Sequence, residues 1–168
     1  MDFYEPTTAD PAWLVRVATF HGHLGPWLTV GALVGQDALR RLATRGHWQI
    51  EVVCYLPPDK QCPAPTCMLD GLQATTGATM GKCNLRLDWD PDRRGAAWPM
   101  VSVVRREREV EGLPAAGVLY RPRDSLTAIL NNIDPRRLDE IARDLARHTA
   151  DDLFDIHPLT RRELVTGK

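Results

Sequence analysis

His47-Trp48-Gln49-Ile50-Glu51-Val52-Val53-Cys54-Tyr55-Leu56 decides the fold. Its β-branched and aromatic content reads as a strand, which Pro57-Pro58 ends. On both sides of it the pattern turns helical. Upstream, Leu28, Gly31, Gly35, Leu39 and Leu42 recur at spacings of three and four, which predicts a helix from Pro26 to about Thr44, closed by Gly46. Gly31 and Gly35 lower helix propensity, so a closely packed neighbour is expected against them. Downstream, the prolines between Pro57 and Pro65 make a stiff connection. Thr66 then caps a short helix running to Thr75, in which Gly71 points to close approach by another helix or by a substrate.

Further out, Asp10-Pro11 opens a first helix over Ala12–Ala18, and His21-Gly22-His23-Leu24-Gly25-Pro26 interrupts it as a constrained loop. Asn84–Trp89 and Met100–Val104 alternate polar and apolar residues, and Ala115–Tyr120 is another short apolar run. Asp134-Pro135 repeats the Asp-Pro helix opening, with Leu138, Ile141, Ala142 and Leu145 as its apolar stripe and a short tail after it. The order predicts an α+β fold, an antiparallel sheet packed with helices, in a single domain over 1–168. The motif-bearing core spans 10–90, and the C-terminal helix and tail span 134–168.

The chain has 168 residues, 43% hydrophobic and 26% charged, enough for a core without disulfide staples. A formal charge of −1 gives no global reason to expect nucleic acid as a partner. Arg105-Arg106-Glu107-Arg108-Glu109, with Arg121 and Arg123, is offset by interleaved acids and reads as a sheet edge or hairpin. The longest apolar neighbourhood, Trp27–Ala38, is broken by Thr29, Gln36 and Asp37, so no membrane span is expected. The acidic, proline-containing start lacks the pattern of a secretory signal, and a cytoplasmic location is expected. In a reducing compartment Cys54, Cys62, Cys67 and Cys83 favour thiols, metal ligands or reactive sulfur over structural disulfides.

Three segments gather the reactive side chains: His21-Gly22-His23, Cys62–Asp70 and Gly77–Asn84. In an extended loop residues two apart point the same way, so His21 and His23 can face one point, and neutral imidazole suits Zn, Ni, Cu or Fe. Cys67 at a helix N-terminus is placed to favour a thiolate, with a buried apolar cysteine as the alternative. Asp70, one turn on, can cap, bind a metal or orient a ligand. Cys62 and Cys67 stand too far apart for a CxxC knuckle and no second pair exists, which excludes a four-cysteine zinc ribbon. Gly77–Lys82 has the wrong glycine spacing for a phosphate loop, though Lys82 and Asn84 can offer donors to an anion, a solvated turn being the alternative. Cys54 reads as core, and His47, His148 and His157 as surface or helix-end residues.

Phe20-His21-Gly22-His23-Leu24-Gly25-Pro26, together with Cys67-Met68-Leu69-Asp70-Gly71-Leu72-Gln73-Ala74-Thr75-Thr76-Gly77-Ala78-Thr79-Met80-Gly81-Lys82-Cys83-Asn84, resembles the E-subunit family of formylmethanofuran dehydrogenase. The resemblance covers about residues 10 to 90. It implies an α+β core, often an intertwined homodimer, with His21, His23 and Cys67 lining a metal-containing pocket and Asp70, Gln73, Thr76, Lys82 and Asn84 beside it. Some members add a C-terminal zinc finger, for which this chain lacks the cysteines, and some carry Cys where Gly25 stands. The molybdenum or tungsten chemistry of that dehydrogenase belongs to its other subunits, so fold and pocket carry over better than reaction.

The combined expectation is a metal-binding protein with His21, His23 and Cys67 as ligands of a transition metal, Zn²⁺ by default and Ni or Fe with the same donors. Gln73, Thr76 and Asn84 are expected to contact a small-molecule ligand, and Asp70 or Lys82 to move protons or neutralise charge if the protein is an enzyme. The alternative is an accessory subunit or a metal or cofactor carrier for a redox enzyme complex, with no catalysis of its own.

Overall fold

The structure, a computed structural model, describes residues 4–89, 98–106 and 116–160. Helices α1 (Ala12–His21) and α2 (Pro26–Arg41) lead into β1 (Ile50–Tyr55), then α3 (Cys67–Thr76) and β2 (Leu85–Asp88). Strands β3 (Met100–Arg105) and β4 (Gly117–Pro122) follow, then α4 (Asp124–Asn131), α5 (Leu138–Leu145), α6 (Ala150–Leu153) and β5 (Phe154–Leu159). Three-residue 3₁₀ turns precede β1, α3 and β2.

The predicted α+β class stands, with one correction to the sheet. Its order is β2-β1-β3-β4-β5, and only the last three pairings are antiparallel, because β2 runs parallel to β1 with Val52 opposite Leu85. Parallel neighbours need a long crossover connection, and the segment containing α3 supplies it. The tail expected after α5 also carries structure. β5 pairs with β4 from Phe154 to Leu159, although His157 and Pro158 break its apolar alternation. The stretch 107–111 of the mixed-charge run lies outside the described residues.

Alternation sorts the sheet into two faces. Val52 and Cys54, Val101 and Val103, and Val118 and Tyr120 join Val30, Val34 and Ala38 of α2 and its C-cap Leu42 in the main core, while Val53, Tyr55 and Met100 cluster on the opposite face. Against this core α2 and α3 pack almost backbone to backbone, as Gly31, Gly35 and Gly71 require. A Cβ on Gly31 would fall on the Met68 carbonyl oxygen, and one on Gly71 on the Leu28 carbonyl oxygen. The close neighbour foreseen for Gly71 is therefore a helix.

Two Asp-Pro signals do different work from the expected capping. Helix α1 has Pro11 at its N-cap, and Asp10 turns back to accept from Arg143 Nε at 2.8 Å and Nη2 at 3.1 Å, and from Thr7 N–H and Tyr4 Oη. Asp134 caps a turn in which it accepts from Arg136 N–H, and α5 starts only at Leu138. Thr66 likewise makes no side-chain cap bond to α3.

The Asp10–Arg143 pair ties α5 to the chain ahead of α1. The guanidinium holds the buried Asp10 carboxyl well below the usual carboxylate range. A depressed folded value means the stabilisation is complete above the unfolded pKa of about 3.9 and is lost as pH falls toward the folded one. The stability gap between wild type and Asp10→Asn should therefore be constant between about pH 7 and 5 and shrink below about pH 4. Urea titrations across that range measure it; a gap unchanged at about pH 3 contradicts the assignment.

Candidate functional site

The site is built where α1, α2 and α3 meet. Helix α1 ends at His21 because Gly22 adopts φ 96°, a left-handed conformation natural to glycine, and its N–H bonds the Ala18 carbonyl at 2.8 Å. Gly25 then caps α2, with Pro26 at the first helical position. His21 is thus the last helical residue rather than part of an extended loop. The short turn still brings its ring to a centroid distance of 4.4 Å from that of His23, tilted by 43°.

Asp70 lies in the first turn of α3, and its Oδ2 is 2.6 Å from His21 Nδ1. An ionised carboxylate only accepts, so in the neutral ring the proton sits on Nδ1 and Nε2 presents a lone pair. Nε2 is buried and has no hydrogen-bond partner. This is the arrangement in which a carboxylate fixes the tautomer and raises the basicity of a metal-ligating imidazole. His23 is held toward its neutral form by burial and by the adjacent His21. Of the two readings open for Cys67, the buried thiol fits the structure better than the thiolate. Burial, joined by the nearby Asp70 carboxylate, pushes its thiol up, and the helix N-terminus does not prevail.

His21, His23 and Cys67 all line one cavity of about 650 Å³. Its remaining walls are mostly apolar: Trp27 and Leu28 from α2, Pro63 and Pro65 from the stiff linker, and Trp98. Leu130 of α4, Leu138 of α5 and Ile133 from the connection between them close it. Trp27 and Trp98 stack with centroids 5.9 Å apart and planes 8° from parallel. Among the described residues, however, no three His, Cys, Asp or Glu side chains are gathered as a metal-holding group. The donors expected from sequence share a wall without forming a closed shell.

The other expected site residues are not brought to the cavity. Lys82 Nζ donates to the Gly77 carbonyl at 2.8 Å, just past the end of α3. Thr76 Oγ1 donates to Leu72 O at 2.6 Å and accepts from Ala78 N–H. Asn84 is buried, donates to the His47 and Ile50 carbonyls and accepts from Thr79 N–H. It locks the turn after α3 to the start of β1. Gln73 is half-buried on α3 and does not line the cavity. Cys54 is core, its thiol pushed up to about 12 by burial, while Cys62 and Cys83 are exposed. Sequence reasoning missed Trp98, Lys60 and the walls beyond residue 120. The only signal in the chain was the density of prolines just before Cys67.

Residues 20–94 match the family model described as FmdE, molybdenum formylmethanofuran dehydrogenase operon. Over this segment the chain is similar to the core domain of the FmdE family. The FmdE segment begins at Phe20, immediately before His21-Gly22-His23, and contains α2, β1, α3 and β2. Every imidazole, thiol and carboxylate of the site lies within it, whereas Trp98, Leu130, Ile133 and Leu138 lie outside. No curated protein matches the chain. Among the described residues, no helix is long and apolar enough to cross a membrane.

Proposed function

We propose that this FmdE-type protein binds one transition metal ion, Zn²⁺ by default, at His21 and holds a small ligand in the adjoining cavity. The observation that carries the proposal is His21 Nε2, a buried lone pair with no partner on a ring oriented by Asp70. His21, His23 and Cys67 are the residues that would hold the ion. A closed shell requires side chains to move, since they are not gathered as one here. When bound, the ion supplies a Lewis acid with an open position, as three-ligand zinc sites do.

The chain's own residues define the rest. Asp70 fixes the His21 tautomer and, being 44% exposed on its side chain, keeps a path for proton exchange with solvent. The Cys67 thiol, disfavoured as a thiolate in this burial, would lose its proton on ligation, so binding should release protons. The apolar walls leave few polar partners for water on the ligand side. A second reading, an accessory subunit or metal carrier for a redox enzyme complex, is favoured by the family's description as part of a dehydrogenase operon.

Titrating zinc into metal-free protein by calorimetry tests the proposal. One ion per chain is expected, and Asp70→Asn should weaken binding about 10- to 100-fold, as loss of an outer-shell partner does elsewhere. Equal affinity in the variant overturns the role given to Asp70. Absence of saturable binding in the wild type overturns the proposal.

A further inference from the structure

The cavity's walls describe its occupant. Among the described lining residues Lys60 carries the only full charge, and none is acidic, since Asp70 lies outside the lining. Lys60 Nζ stands 5.3 Å from the Trp98 ring centroid, a cation–π distance. Its ion pair with Asp59, at 3.7 Å, joins a side chain that is 72% exposed, an arrangement that contributes little in water. Beyond Lys60 the wall is the near-parallel Trp27–Trp98 pair, with Leu130, Ile133 and Leu138 around it. Asn131, the Cys67 thiol and the imidazoles of His21 and His23 are the other polar groups.

We infer that the cavity is built for a flat aromatic monoanion, a carboxylate or its like, whose ring lies against the half-buried Trp98, itself backed by the buried Trp27, and whose charge meets Lys60. This rests on the reading of the cavity as a ligand pocket. Lys60 is 39% exposed on its side chain and stands at the open rim, where a positive charge beside an apolar pocket favours an anion over a cation. Indole faces reward a planar π-surface over a saturated one of equal size. A volume of about 650 Å³ lies within the range of small-molecule pockets and admits a bicyclic ring system with room beside it.

The test uses the full chain, stripped of metal and then zinc-loaded, at about pH 8, where ordinary imidazoles with a pKa of about 6.5 are neutral. The probes are 2-naphthoate, 2-naphthamide and decalin-2-carboxylate, and affinity is read by calorimetry. In metal-free protein the amide and the saturated acid should each bind about tenfold more weakly than naphthoate, or worse, because each forfeits a charge-assisted or an aromatic contact. Lys60→Gln should bring naphthoate down to the amide's affinity, and Trp98→Leu should erase the preference for naphthoate over the saturated acid. Circular dichroism and the melting temperature establish that both variants fold. Naphthoate that does not bind, that binds no better than the amide, or that ignores Lys60→Gln overturns the inference. Zinc uptake is scored separately: uptake without an acid preference sinks this inference alone, and an acid preference without uptake sinks the metal reading alone.

Discussion

Replacing Gly71 with alanine is expected to lower the free energy of unfolding by about 3 kcal/mol, at the upper end of the usual cost of overpacking. Alanine gains about 1 kcal/mol of helix propensity at such a position, so the sign depends on what the new methyl meets. It meets backbone. The nearest atom is the Leu28 carbonyl oxygen, and Ala32 N stands 2.7 Å away, neither of which can rotate aside. Helices α2 and α3 must part to admit it. Gly35→Ala provides the control, since its nearest obstacles are the Thr75 hydroxyl and the Thr76 methyl, side-chain atoms with some freedom to turn. A loss of about 1 kcal/mol is expected there. Urea denaturation with an unchanged m-value separates the two. A Gly71→Ala variant within about 0.5 kcal/mol of wild type would mean that the helices do not touch as described. Because α2 carries the cavity's Trp27 and α3 carries Cys67 and Asp70, the same variant should also weaken zinc binding.

The second large effect concerns His21 itself. His21→Ala is expected to abolish zinc retention through gel filtration, whereas His23→Ala and Cys67→Ala should each weaken it by a graded amount. The difference follows from preorganisation. His21 is 10% exposed on its side chain, is oriented by Asp70 and offers a buried, unpartnered nitrogen, whereas Cys67 must first lose a proton that its surroundings favour. Elemental analysis of protein purified without a histidine tag measures retention. Full zinc content in His21→Ala would move the site elsewhere, with the exposed Cys62 and Cys83 as the remaining thiols.

Helix and strand content was legible wherever a period ran uninterrupted. The α2 face at Leu28, Gly31, Gly35 and Leu42, the β1 run and α3 all stand close to their expected limits. Reading failed where local chemistry had two outlets. Asp10 and Asp134 each precede proline and resemble caps, but a distant guanidinium claimed the first and a turn claimed the second. β5 was hidden because an edge strand need only satisfy one neighbour, which lets it hold His157 and Pro158. The direction of β2 was not visible in its own residues, only in the helix that joins it to β1.

The site divides in the same way. The cavity shared by His21, His23 and Cys67 matches what the family resemblance implied, whereas the bond from Asp70 to His21, across 49 residues, was not announced by the sequence. Lys82, Thr76 and Asn84 have the chemistry of ligand contacts, yet sequence cannot show that backbone carbonyls take their donors, as they do here. The apolar walls come from segments remote in the chain, so no local pattern announces them.

The central claim is that the unpaired His21 nitrogen is a metal ligand. Anomalous diffraction at the zinc absorption edge, from crystals grown with stoichiometric zinc, tests it most directly. One peak is expected about 2.0–2.1 Å from His21 Nε2, with density for at least one further ligand from His23 or Cys67. A map with no peak at His21, or with zinc bound only at Cys62 or Cys83, contradicts it.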